Sequence, residues 1–262
     1  MKTLRGLLRM AAAATMVMGI ALGTTLLAWV PIEIRGIPVS AWCFSLGVRP
    51  LMRALGIRFV CDDPQRVIEH HGFIFPNHIS FFDTLVMSYL LPTRFLSKAE
   101  VRKYPLIGRI ATATGTIFLD RSDKSQRANV RRTIAAKIRD KQYPPLVIFP
   151  EGTRNPEDTL LPFRYGVFEI AIDSGAPYLL CAIHYEDTEA MTWHSRDESL
   201  MTTIRRIVEQ DTSRVWLIPL AEIQPKPDDD PIQLAAEARE VVGNALNRIR
   251  VEGLDPQWLN RN

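Results

Sequence analysis

The sequence predicts an α/β protein: a mixed sheet flanked by helices, preceded by an N-terminal membrane-associated helical segment. Three observations predict it. Beyond Ile57, short apolar runs of strand length alternate with helical patterns, the order expected of helices packed on a largely buried sheet. With 47% hydrophobic residues in 262, the chain can bury a large core as one domain with an appendage. No charged residue stands between Met10 and Ile32, a run of about the twenty apolar residues that a bilayer requires.

The N-terminal run follows Lys2, Arg5 and Arg9. A signal peptide shares that basic start and apolar middle, but no small-x-small cleavage site ends the run before Trp29 and Pro31, so it reads as an anchor. A second apolar stretch, Ile37 to Val48, meets Arg49, Arg53 and Arg58. It is too short to span and carries Trp42, which suits an interfacial or re-entrant helix. Basic residues at both ends want the same side of the membrane, so a helical hairpin or a one-leaflet insertion is expected. The division is thus 1–56 as anchor and 57–262 as the second domain, on the cytoplasmic face of the inner membrane. Removing the anchor is expected to leave a more soluble domain.

The remaining elements follow in order. Ile57–Cys61 and Phe73–Pro76 are strand-like, Thr84–Leu91 is a helix, and Arg94–Ser97 and Thr116–Leu119 are strands. Ser125–Lys141 is a polar helix. Leu146–Pro150, Tyr178–His184 and Val215–Ile223 complete the strands, and Pro231–Val251 is an amphipathic helix with proline in its first turn.

Composition excludes some functions. A net charge of +3 is too small to argue for nucleic acid. Three scattered cysteines without C-x-x-C fit a reducing compartment and exclude a zinc ribbon. His70 and His71 with His78 have no carboxylate or thiol at ligand spacing, so no metal site is expected.

Chemistry gathers at strand ends, where α/β folds collect ligands. The run Phe73–Pro76 is followed by Asn77, His78, Ser80 and Asp83. An imidazole is suited to removing a proton near neutral pH, and a carboxylate on its other nitrogen fixes the tautomer. Residues five apart on one helix point about 140° away from each other. The two therefore meet only if His78 lies in the turn before the helix and Asp83 in its first turn. The same letters also read as a capping box, Ser80-x-x-Asp83, which explains both without chemistry. At other strand ends stand Glu151-Gly152-Thr153-Arg154, Asp120-Arg121 and Lys98-Ala99-Glu100. Arginine binds phosphate as a fork and lysine as a point charge. Singly, each cluster is equally a surface ion pair.

Four motifs stand in sequence. Asn77 to Asp83 spell N-H-x-S-x-x-D; Lys98, Glu100, Pro105 and Gly108 spell K-x-E…P-x-x-G; Gly115 to Arg121 spell G-x-I-F-x-D-R; and Phe149 to Arg154 spell F-P-E-G-T-R. In this order they resemble the lysophospholipid acyltransferase family, in particular the bacterial 1-acyl-glycerol-3-phosphate acyltransferases. The resemblance covers Phe75 to about Ile183. Two departures stand out: Ala176 to Cys181 keeps one of the two prolines usual in a fourth motif, and Arg164-Tyr165-Gly166 replaces a basic pair before glycine.

The resemblance implies transfer of a fatty acyl group from acyl-CoA or acyl carrier protein to the free hydroxyl of a membrane lysophospholipid. The acceptor it implies first is 1-acyl-sn-glycerol-3-phosphate, giving phosphatidic acid; another lyso-lipid such as lyso-ornithine lipid is the alternative. It implies His78 as base and Asp83 as its orienting partner, with no cofactor, metal or nucleic acid. Lys98, Arg121 and Arg154 would hold the acceptor phosphate beside the Gly152-Thr153 turn. Glu151 would accept from the glycerol part or, preferably, partner an arginine. The basic helix face of Arg127, Arg131, Arg132, Lys137, Arg139 and Lys141 is a solvated surface, or a patch for anionic lipid or an acidic acyl donor. A non-catalytic lipid-binding membrane protein on the same scaffold is the reading from another class, and the intact His78 and Asp83 weigh against it.

Overall fold

The first 56 residues build a helical hairpin. Helix α1 (Lys2–Leu27) leads through two short strands, β1 (Glu33–Ile34) and β2 (Ile37–Pro38), into α2 (Val39–Ala54). Arg35 and Gly36 between the strands both take positive φ, 55° and 71°, as a tight two-residue hairpin turn requires. The structure is a computed structural model and describes residues 2–104, 106–119, 127–153, 159–192 and 198–253.

Within α1, Leu4–Leu27 is long and apolar enough to cross a membrane. One face carries exposed Leu4, Leu8, Met18, Leu22 and Leu26 at helical spacing, while Ala13, Ile20 and Ala21 are buried. The helices approach closely at Gly47, where a Cβ would run into Ile20. Arg5 and Arg9 are engaged within the fold. Arg9 donates to the carbonyls of Val208 and Gln210 at 3.5 and 2.8 Å, and Arg5 pairs with Asp211 at 2.7 Å. They serve the carbonyl end of a later helix, which needs such donors.

After the hairpin come β3 (Ile57–Cys61), α3 (Pro64–Glu69), β4 (Phe73–Pro76), α4 (Asp83–Met87), β5 (Arg94–Lys98), a 3₁₀ turn (Ala99–Lys103), α5 (Ile107–Ala113), β6 (Ile117–Leu119), α6 (Arg127–Asp140) and β7 (Leu146–Val147). The chain continues through α7 (Tyr165–Ser174), β8 (Tyr178–Tyr185), α8 (Thr188–Met191), α9 (Leu200–Glu209), β9 (Ser213–Ile223) and α10 (Pro231–Glu252). One seven-stranded sheet runs in the order β3-β9-β8-β4-β7-β5-β6. All neighbours are parallel except β8 and β9, so the sheet is mixed.

Strand alternation sorts the core into two layers. Ile74, Val147, Leu179 and Leu217 face Leu51, Met52 and Leu55 of α2, Val86 of α4 and Ile207 of α9. Phe73, Phe75, Tyr178, Leu180 and Trp216 face Ile134 and Ile138 of α6, Phe168 of α7 and Val242 of α10. The inner face of α2 thus joins the same core as the sheet, and its Ser45 Oγ donates to Ser88 O at 2.7 Å.

The strand and closing-helix expectations hold to within a few residues, with two shortenings. The helix expected over Thr84–Leu91 ends at Met87, because Pro92 disfavours helical backbone at Leu91 and Ser88 Oγ pairs with Thr93. The strand expected over Leu146–Pro150 keeps ladder pairing only to Val147, and the chain then turns at Gly152. The structure adds α3, α5, α7 and α9, helices of 6 to 10 residues that the strand pattern does not announce.

Candidate active site

Strand β4 is buried throughout and ends at Pro76, paired with Cys181 of β8. Asn77 continues the pairing with its side chain. Its Nδ2 donates to Ile183 O at 3.0 Å and its Oδ1 accepts from Ile183 N at 2.7 Å. The side-chain amide reproduces one rung of a ladder and delivers His78 to the edge of the sheet.

His78 lies in the turn and Asp83 at the first position of α4, the arrangement that the spacing demands. His78 Nδ1 stands 2.8 Å from Asp83 Oδ2. A carboxylate only accepts, so Nδ1 is the donor, and in the neutral ring Nε2 then carries the lone pair. The imidazole is 17% exposed and the carboxylate fully buried. Oδ2 also accepts the backbone N–H of Ile79 and Ser80, at 2.8 and 2.9 Å, and Oδ1 accepts the Tyr185 hydroxyl at 2.7 Å. Four donors hold a buried anion that burial alone would penalise.

The capping reading is half realised. Asp83 reaches back to Ser80 N–H, but Ser80 Oγ donates to Met191 O at 2.7 Å and accepts from Phe82 N at 3.3 Å. Turn geometry and the histidine contact therefore use the same carboxylate.

From the end of β7, the Phe149 ring stacks on His78 with centroids 4.1 Å apart and planes 21° from parallel. Glu151, 2% exposed, accepts His78 N–H through Oε1 at 2.7 Å and Leu161 N–H through Oε2 at 3.1 Å. Burial pushes its pKa up to about 7, against the pull of those two N–H groups toward the anion. Among the described residues each oxygen meets a backbone donor, and Glu151 ties the histidine turn to the loop before α7. Gly152 has φ of +70°, and a Cβ there would run into Arg164, whose Nε donates to Glu151 O. Thr153 is exposed.

Lys98 ends β5, exposed, in register with Leu119 at the end of β6. Strands β4, β7, β5 and β6 are parallel neighbours, so their C-terminal ends share one edge. Arg121 and Arg154 lie outside the described residues. Three contributors escaped the sequence reading: Tyr185, the rung made by Asn77 and the ring of Phe149. Tyr185 is the last residue of an apolar strand, where a tyrosine looks like any other core aromatic.

A family model described as Acyltransferase matches residues 56–184. The chain is 28% identical over 179 residues to the 1-acyl-sn-glycerol-3-phosphate acyltransferase of Neisseria meningitidis serogroup B, covering 66% of this chain and 69% of that protein. It is 32% identical over 173 residues to the lyso-ornithine lipid O-acyltransferase of Pseudomonas aeruginosa, covering 65% and 66%.

The chain belongs to the lysophospholipid acyltransferase family.

It is an O-acyltransferase of that family, and the matched region holds His78, Asp83, Glu151 and Tyr178 to His184 of β8. The crystal structure of the 1-acyl-sn-glycerophosphate acyltransferase from Thermotoga maritima superimposes with a TM-score of 0.68, covering 95% of this chain and 97% of that one. At 16% identity, that likeness shows a common acyltransferase fold.

Proposed function

We propose that the protein moves a fatty acyl group from acyl-CoA or acyl carrier protein to the free hydroxyl of 1-acyl-sn-glycerol-3-phosphate, making phosphatidic acid. The observation that carries this reading is the His78–Asp83 contact at 2.8 Å through Nδ1, which leaves Nε2 of the neutral ring to accept a proton. His78 takes the proton of the acceptor hydroxyl as its oxygen attacks the thioester carbonyl. The C–O bond forms, the tetrahedral intermediate collapses, the C–S bond breaks, and the proton passes to the departing thiolate. Asp83 stabilises the imidazolium between the two transfers. The acceptor oxygen is itself the nucleophile, so no acyl-enzyme is needed.

Lys98, Arg121 and Arg154 hold the acceptor phosphate, with Glu151, Gly152 and Thr153 contributing to the acceptor site. Residues 1–56 anchor the enzyme and residues 57–262 carry the chemistry, with the site on the cytoplasmic face of the inner membrane. The apolar outer face of α1 supports the membrane association. A second reading, lyso-ornithine lipid as acceptor, is favoured by the 32% identity to the Pseudomonas enzyme of that name. Assay of the purified protein with both acceptors and both thioester classes decides: phosphatidic acid formation supports the first reading, and acylation of lyso-ornithine lipid alone replaces it with the second.

A further inference from the structure

The three donors to Asp83 Oδ2 come from one loop, as His78 Nδ1, Ile79 N–H and Ser80 N–H. Those donors belong to the same loop as the histidine, so they fix Oδ2 to that loop and leave Oδ1 for a partner outside it. The fourth donor is different. Tyr185 closes β8, pairs with Val215 of β9, and is fully buried. Its hydroxyl reaches Oδ1 at 2.7 Å.

We propose that Tyr185 is a positioning residue for the His78–Asp83 pair, anchoring Asp83 Oδ1 to the sheet so that Oδ2 stays on His78 Nδ1. The inference rests on the reading of His78 as the base. Two parallel ties support it. Asn77 clasps Ile183 and Ser80 reaches Met191, so two side chains of the short loop before α4 are also held by β8 and the segment that follows it. The phenol remains protonated, because burial first and the Asp83 charge second raise its pKa well above the ordinary value. It therefore acts as a donor throughout the working pH range.

A donor on Oδ1 also draws charge away from Oδ2 and weakens its pull on the Nδ1 proton. Tyr185 thus tunes the base as well as aiming it. Among the described residues the other groups around the pair are few. Glu151 approaches from the end of β7 through His78 N–H, and Ser80 lies within the loop. On α9, Arg206 is directed to Ala190 O, Thr192 O and Glu198.

The test compares wild type with Tyr185→Phe and with 3-fluorotyrosine placed at 185, in steady-state assays across pH. The fluorinated ring is nearly isosteric and a stronger donor, so it keeps the test open if the phenylalanine variant folds poorly. Tyr185→Phe should lower kcat about tenfold, the worth of one hydrogen bond to a charged group, at unchanged acceptor KM. The acid limb of its kcat/KM profile, which reports protonation of the base, should move to higher pH. The fluorinated protein should move that limb to lower pH. Profiles that stay in place, or that move in the same direction, overturn the proposal, since a purely structural tyrosine changes only the folded fraction. His78→Ala, run alongside, separates the two claims. If it retains turnover, the base assignment itself fails; if it is inactive while the tyrosine variants do not shift, only the role of Tyr185 fails.

Discussion

The backbone N–H of His78 donates to Glu151 Oε1 at 2.7 Å, which ties the turn after β4 to the turn after β7. The carboxyl that makes this tie is buried, and its pKa is pushed up to about 7 from an ordinary 4.5. A raised carboxyl pKa means that folding takes up a proton between those values. The stabilising contribution is full below about pH 4.5 and is lost as pH rises through about 7, on the order of 3 kcal/mol in all. Denaturant unfolding of wild type and Glu151→Gln at pH 5 and pH 8.5 measures it. The stability of wild type relative to the variant should fall by about 2–3 kcal/mol between the two pH values. A constant difference would show that the carboxyl does not titrate there.

Asn77→Ala removes the side-chain rung and leaves the buried N–H and C=O of Ile183 unmatched. The expected cost is about 2–6 kcal/mol of stability, from two lost partners at about 1–3 kcal/mol each. Activity should drop with it, because the histidine turn loses its tie to β8. Thermal unfolding and turnover measured on the same preparation check this, and an unchanged melting temperature would refute it.

Much of this site was legible in the letters, for physical reasons. The five-residue spacing of His78 and Asp83 admits only one geometry that brings them together, and the chain adopts it. The apolar runs at Phe73 and Tyr178 announce buried strands because a sheet covered on both faces wants continuous apolar residues. Other features were illegible because their partners are remote. Nothing near Glu151 in the chain indicates that its oxygens meet His78 and Leu161. The same holds for Tyr185, which is 102 positions from Asp83. Arg5 and Arg9 read as membrane-flanking charges, yet their guanidinium groups serve carbonyls about 200 residues away. Helix α9 was missed although strongly amphipathic, since ten residues between two strands carry too short a pattern to separate from a loop.

Deleting residues 1–56 should unfold the protein rather than release a soluble domain, against the expectation from composition. Val48, Leu51, Met52 and Leu55 are buried in the same core cluster as Ile74 and Val147. At about 1.5–3 kcal/mol each, their loss approaches the whole net stability of an ordinary domain. The truncated chain should aggregate or show no cooperative unfolding. A truncated domain that is soluble and unfolds cooperatively would contradict this.

Replacing Arg154 or Arg121 by alanine should mainly raise acceptor KM, by roughly ten- to a hundredfold, if each holds the phosphate equally in ground and transition states. Lysine should rescue only partly, because it keeps the charge and loses the planar fork. The measurement is a steady-state series in acceptor at fixed donor. A fall in kcat alone, at unchanged KM, would move these residues from phosphate binding to transition-state stabilisation or loop geometry.

The central claim is that His78, oriented by Asp83, is the base for acyl transfer. Asp83→Asn supports the test, with an expected loss of about a hundred- to ten-thousandfold as the tautomer is no longer fixed. The most direct measurement is turnover of purified His78→Ala with 1-acyl-sn-glycerol-3-phosphate and an acyl thioester, on protein whose melting temperature matches wild type. The account predicts no acyl transfer above background; near-normal turnover in that folded variant would contradict it.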